Sequence, residues 1–315
     1  MRLLNDVRAW HMGPCAVALG LFDGVHKGHA ALVAETVRLA RAEGLAAAVF
    51  TFGAHPLAAL HPQEAPPMLT TPPEKAARLA ALGLDALLMT AFDEAFAAMT
   101  PQAFPAYLAD ALTPRHVVVG FNYTFGARGA GDAALLTALG KRHAFTTHVL
   151  APVCCGGLPI SSTRVRQAVL AGDMAQARAM LGEAYGISGT VIHGKGLGRK
   201  LGFPTANLAL PADKALPPFG VYAAWVAVAQ GRYPAVVNIG AHPTAPGGPP
   251  ALETHLLAPA PALYDQPLTV LCEARLRPER TFENLDALAA QVAMDVAQAR
   301  VALGLAQADG RAQFS

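Results

Sequence analysis

Residues 20–32 read GLFDGVHKGHAAL and decide how the first half of the chain is built. An apolar run over 16–22 leads into them. An amphipathic run over 29–43 follows, with Val33, Val37 and Ala40 on one face and Gly44 placed to end a helix. A strand, a glycine-punctuated turn and a helix bring free N–H groups and the positive end of the helix dipole to one sheet edge, where phosphate binds readily. Gly24 and Gly28 let a phosphate approach the backbone. His26 and His29 share a face if the turn is already helical, and both can donate hydrogen bonds to a phosphoryl group as its charge grows. No serine or cysteine stands beside them, so direct transfer between bound substrates is expected rather than a covalent enzyme intermediate. On these residues alone, a glycine turn with two solvent-facing histidines remains the rival reading.

Outward from this turn, strand-like and helix-like runs alternate. Strands are expected over 45–52, 86–90 and 116–120, and helices over 73–82 and 101–112. Such alternation predicts a parallel α/β sheet with ligands at the carboxyl ends of its strands, hence in the loops after Phe22, Phe52 and Gly120. The texture changes near residues 182–185. Beyond it, ISGTVIH, GVYAAWVAV, YPAVVNIG, ALETHLL and LTVLCEARL are short strand-like runs separated by Gly and Pro, which predicts a compact antiparallel barrel. A helix is expected over 285–303.

The bulk numbers narrow the function classes. The 315 residues are enough for about two domains. Mean hydropathy is +0.33, but it comes largely from alanine, and no apolar run of about 18 residues reads as a membrane span. The first residues, MRLLNDVRAWHMG, contain no apolar core, so no secretory signal is expected. A net charge of +2 argues against a nucleic-acid partner. The cysteines Cys15, Cys154, Cys155 and Cys272 lack metal-ligand spacing and fit free thiols in a cytoplasmic protein. Small-molecule substrates are therefore expected, with no membrane and no nucleic acid, and a homo-oligomer is left open.

The second half contains HGKGLGRKLGFPTANL from His193. Its glycines, including Gly194, Gly196 and Gly198, suggest a flap over phosphates. It is neither a Walker A loop nor a dinucleotide fingerprint. In PTAN, Pro204 stiffens a turn, and Thr205 and Asn207 offer hard oxygen donors suited to Mg²⁺. Read alone, PTAN is most often a polar turn.

Together these segments resemble a known family. FDGVHKGH, TFGAHP (51–56), VGFNYTFGARGAGD (119–132) and ISSTRVRQAVLAGD (160–173) stand in the order of the adenylyltransferase half of bacterial bifunctional riboflavin kinase/FAD synthetases, and GFPTANL resembles the riboflavin kinase signature. The resemblance implies a Rossmann-like nucleotidyltransferase α/β domain over 1–183 and a riboflavin-kinase-like antiparallel β-barrel with a terminal helix over 184–315. The barrel would convert riboflavin and ATP to FMN, and the first domain FMN and a second ATP to FAD and diphosphate. It further implies that His26 and His29 stabilise adenylyl transfer. Gly20, Phe22, Asp23, Gly28, Ser161, Ser162, Thr163 and Arg166 would surround ATP and its phosphates, and Asn122 and Phe125 would position the flavin or nucleotide. Gly194, Gly196, Gly198 and Arg199 would form the kinase ATP flap, Thr205 and Asn207 would hold Mg²⁺, and Glu253 would take the riboflavin hydroxyl proton. Departures from the family pattern cluster around Ala258 and Asp265. They leave an alternative, an FMN adenylyltransferase whose kinase half is weakened or inactive.

Overall fold

The structure is a computed structural model and describes residues 1–192, 203–240, 250–259, 263 and 266–305. The predicted flap at Gly194, Gly196, Gly198 and Arg199 lies outside these residues, as does Asp265. The chain divides into two compact units, Met1–Arg164 and Val165–Ser315.

In the first unit the strands are β1 (Arg2–Leu4), β2 (Cys15–Leu19), β3 (Ala46–Phe52), β4 (Ala86–Thr90), β5 (Pro114–Gly120), the short pair β6 (Thr124–Phe125) and β7 (Gly131–Asp132), β8 (Thr146–Leu150), and the short pair β9 (Cys154–Cys155) and β10 (Leu158–Pro159). The helices are α1 (Lys27–Glu43), α2 (Pro56–Leu60), α3 (Pro72–Ala80), α4 (Glu94–Ala97), α5 (Ala103–Leu112), α6 (Ala133–Gly140) and the start of α7 (Ser162–Ala171). Six strands form one parallel sheet in the order β1-β4-β3-β2-β5-β8. The expected interior strands are present. The two edge strands, β1 and β8, were not foreseen, because RLL and TTHVL are too short and too polar to announce themselves.

Both faces of the sheet are covered, so its central strands read as unbroken apolar runs. On one face Ala16, Ala18, Val49 and Leu87 pack with Leu32, Val33 and Leu39 of α1. On the other, Val17, Leu19, Phe50 and Val119 pack with Phe104, Leu108 and Leu112 of α5 and Leu136 of α6. Burying each such Leu or Val contributes about 1.5–3 kcal/mol. Gly44 ends α1 in the left-handed region at φ 65°, as expected. The chain runs from β2 to β3 on one side and returns to β5 on the other, so the order reverses between β2 and β5. At such a switch point the loops after the two strands diverge and leave a crevice.

The second unit begins with the rest of α7 and α8 (Met174–Leu181), then β11 (Tyr185–Ile192), β12 (Thr205–Ala209), β13 (Gly220–Val228), β14 (Gly231–Gly240), β15 (Ala251–Leu256) and β16 (Pro267–Pro278). These six strands close an antiparallel barrel in the order β11-β12-β15-β14-β13-β16. The terminal helix α9 (Leu285–Ala302) is capped by Asn284, and its Asp295 receives a fork of hydrogen bonds from Arg277 of β16 at 2.8–3.2 Å. Of the segment read alone as a polar PTAN turn, Thr205–Asn207 belong to strand β12 and Pro204 precedes it. The strand's alternation of half-buried Thr205 and Asn207 with buried Ala206 and Leu208 is the period of two that a barrel wall requires.

Candidate functional site

Residues 20–26 form the turn between β2 and α1. Phe22, Gly24 and Val25 all have positive φ, at 53°, 81° and 43°. Left-handed backbone at a β-branched residue is strained by about 1–3 kcal/mol and persists only where its surroundings enforce it. Here the surroundings are a dense set of bonds. The Asp23 carboxylate accepts from the Leu69 and Thr70 amides at 2.9 and 3.0 Å and from the Thr70 hydroxyl at 3.2 Å. The Gly24 amide donates to Thr70 Oγ1, Arg78 donates to the Gly24 carbonyl at 3.1 Å, and Ser162 Oγ donates to the Asp23 carbonyl at 2.9 Å.

Helix α1 starts two residues earlier than the sequence suggests, at Lys27, with His26 as its N-cap. His26 Nδ1 accepts the His29 amide at 3.3 Å, which puts the ring proton on Nε2. The two imidazoles stack with centroids 3.7 Å apart. Gly28 serves this arrangement directly: a Cβ there would lie 3.1 Å from His26 Cε1. Burial pushes His26 down to about 4. Burial, with the charges of His26 and Lys75, holds His29 well below the usual histidine range. Both rings are therefore neutral donors at neutral pH. His29 Nδ1 is buried and has no hydrogen-bond partner among the described residues.

The turn opens on a cavity of about 490 Å³. Its lining includes Gly20, His26, Gly28, His29, Asn122, Ser161 and Ser162, all seven of them residues that the sequence nominated from three separate segments. Ser161 Oγ caps the start of α7 by accepting the Arg164 amide at 3.3 Å. Nominated residues away from the lining are Asp23 and Phe22, both fully buried and shaping the turn from behind it, together with exposed Thr163 and buried Arg166. The apolar lining includes Phe52, Phe92, Phe96, Phe104, Tyr123 and Phe125. Phe52 stands edge-on to Phe92 and Phe96, with centroids 5.0 and 5.2 Å away. Only Phe125 of this aromatic group was foreseen. The spacing of Phe92 and Phe96 in AFDEAFAAM was the available signal, but it reads equally as an ordinary core stripe.

In the second unit, Glu253 of β15 is the register partner of Asn207 on β12 and of Asn238 on β14. Thr205 pairs with His255 one step along. Because alternate residues share a face, Thr205, Asn207, Glu253 and His255 fall together on the side of these strands opposite buried Ala206, Leu208, Leu252 and Thr254. His255 Nδ1 lies 3.0 Å from the Pro204 carbonyl. Hydroxyl, amide and carboxylate oxygens at one place are the donor chemistry that Mg²⁺ prefers, so the residues fit that ion. Asn238 was not foreseen, because only the β14–β15 register brings it beside Glu253.

The FAD synthetase family matches residues 9–164 of the chain, and the riboflavin kinase family matches residues 181–303. The chain is 39% identical over 310 residues to a "Bifunctional riboflavin kinase/FMN adenylyltransferase" of Escherichia coli (strain K12), covering 97% of this chain and 99% of that protein. Proteins of the same description from Pseudomonas fluorescens and Bacillus subtilis (strain 168) are 37% and 35% identical, covering 95% and 90% of the chain. A crystal structure from Streptococcus pneumoniae, named for a macrolide-efflux protein, matches with a TM-score of 0.84 and 31% identity, covering 95% of this chain and 98% of that one. Among the described residues no helix is long and apolar enough to cross a membrane. Two catalytic domains in one chain, matched end to end by relatives that carry both activities, make this chain a member of the bifunctional riboflavin kinase/FMN adenylyltransferase family, acting on riboflavin, FMN and ATP.

Proposed function

We propose a division of labour between residues within this established pair of activities. In the first unit a phosphate oxygen of FMN attacks the α-phosphorus of ATP. One P–O bond forms, the α–β bridging P–O bond breaks, and diphosphate leaves. His26 and His29, neutral and paired at the start of α1, donate to the phosphoryl oxygens as charge builds on them. The Ser161 and Ser162 hydroxyls and the first amides of α7 receive the departing phosphates, a role that the family resemblance also gives to Thr163 and Arg166. Asn122 orients the flavin nucleotide, and the aromatic lining takes the planar apolar ring system. The observation that carries this reading is the stacked histidine pair at a helix N-terminus on the cavity wall.

In the second unit Glu253 accepts the 5′-hydroxyl proton of riboflavin while that oxygen attacks the γ-phosphorus and ADP leaves. Thr205 and Asn207 would hold Mg²⁺, which would supply neutralisation of phosphate charge. The family resemblance assigns the nucleotide flap to Gly194, Gly196, Gly198 and Arg199, which lie outside the described residues. The border between the functional domains lies at 183/184, just after Gly182 ends α8 in the left-handed region at φ 94°. A cytoplasmic location and the absence of a nucleic-acid partner rest on the near-neutral charge and the free thiols. Sedimentation of the purified chain decides between a monomer and a homo-oligomer.

The test is a time course of riboflavin, ATP and Mg²⁺ with the purified chain, followed by chromatography with flavin fluorescence. FMN should rise first and then convert to FAD. Product stopping at FMN would sink the assignment of the first site, and failure to make FMN that of the second.

A further inference from the structure

Helix α3 contributes a group that none of the motifs contain. Lys75 is fully buried. Its Nζ donates to the carbonyl of Leu21 at 2.9 Å and to the carbonyl of Phe52 at 2.8 Å. Leu21 follows β2 and leads into the histidine turn, and Phe52 ends β3 and belongs to the aromatic lining. Both residues face the cavity. The Thr51 hydroxyl also donates to the Leu21 carbonyl, at 2.8 Å, so that carbonyl is held twice. One helical turn further on, Arg78 grips the Gly24 carbonyl of the same turn. A capping box between Thr71 and Glu74 and a proline at the first position fix the start of α3, so both basic side chains project from a firm element.

We infer that Lys75 is a positioning residue for adenylyl transfer: it ties the ends of β2 and β3 together, setting the span between the histidine turn and the aromatic lining, and places a fixed positive charge behind that turn. This rests on the adenylyl-transfer reading of the cavity. A lysine is rarely fully buried without a specific task, and in a dry site its charge acts at longer range than at the surface. The groups around it are Asp23 of the turn, His29 of α1 and Arg78 of its own helix. The Lys75 charge disfavours a proton on His29, which keeps that ring a neutral donor, and Asp23 favours the charge on Lys75. Phosphate charge arriving at the turn is thereby met from behind by a cation that does not touch it.

The experiment uses the full chain and measures FMN adenylylation and riboflavin phosphorylation separately in the wild type, Lys75→Met and Lys75→Arg. In Lys75→Met, phosphorylation should stay within about twofold while kcat for adenylylation falls roughly 30-fold or more, with KM for FMN and ATP moving less than about fivefold. Burial pushes Lys75 down to about 8, so wild-type kcat/KM for adenylylation should fall above that pH. Lys75→Arg, whose guanidinium does not titrate, should lack this alkaline limb. A Lys75→Met enzyme with kcat within about threefold of wild type overturns the inference, as does a limb that survives in Lys75→Arg. Should either variant fail to fold, the wild-type profile decides alone, and a flat profile through pH 8 overturns it. A wild type that makes no FAD instead refutes the reading of the cavity itself.

Discussion

His26 and His29 are joined twice: their rings stack with planes 13° apart, and His26 Nδ1 accepts the His29 amide. One histidine is therefore both helix cap and donor, and the other lies against it. Replacing His29 by Ala should lower FMN adenylylation about 10²–10³-fold, the usual cost of removing one donor to a developing charge. Riboflavin phosphorylation should not change, and parallel assays of FAD and FMN formation check both. His26→Ala should also lose about 0.5–2 kcal/mol of stability with its cap. His26→Asn should recover that stability without the activity, which denaturant melts and the FAD assay separate.

Acid should weaken the first unit before carboxylates titrate. The folded state holds His26 at about 4, whereas the unfolded chain returns it to its ordinary value near 6.5. Between those values the unfolded state binds more protons, so stability falls as pH falls. His26 alone accounts for a loss of about 2 kcal/mol by pH 5, and His29 acts in the same direction. Melting temperature at pH 7, 6 and 5 reads this directly. A flat curve for the adenylyltransferase unit would show that the histidines are not buried as described.

Glu253 lies between Asn207 and Asn238 in strand register. Glu253→Gln keeps the shape and removes the base, and should reduce riboflavin phosphorylation about 10²–10⁴-fold with FMN adenylylation unchanged. If nothing changes, the barrel is structural and the chain acts only as an FMN adenylyltransferase.

Chelation should separate the metal's role from the fold. EDTA should stop riboflavin phosphorylation, and added Mg²⁺ should restore it. Thr205→Val with Asn207→Leu should raise the Mg²⁺ concentration needed for half-maximal rate by about tenfold or more, as expected when two oxygen ligands are lost. An unchanged requirement would place the ion elsewhere.

The terminal helix depends on one buried charge. Asp295, about 1% exposed, takes the guanidinium fork of Arg277 and a bond from Gln291 at 2.7 Å. Asp295→Ala leaves Arg277 without its counter-charge and should cost the barrel unit about 3–5 kcal/mol. Denaturant unfolding followed through the kinase activity measures it.

The sequence by itself determined the class of each half. Apolar runs alternating with amphipathic ones made a parallel sheet legible, and short runs broken by Gly and Pro made a barrel legible, because both patterns follow from local periodicity. It also nominated His26 and His29 from the turn between a strand and a helix, and Asn122 and Ser161 through the resemblance to the family. Tertiary structure decided what depends on register, burial and charge. Lys75 sits in TTPPEKAARLA, where its helix spacing marks it as no different from a surface lysine, and only the packing of α3 carries it under the turn. Asp23 is nominated by FDGVHKGH, but only the fold shows that its carboxylate accepts from Leu69 and Thr70 and anchors a strained loop. PTAN read alone is a turn, yet Thr205–Asn207 open strand β12, because the barrel rewards alternation that two polar letters conceal. Asn238 joins Glu253 through pairing between β14 and β15, a long-range register that no local pattern encodes.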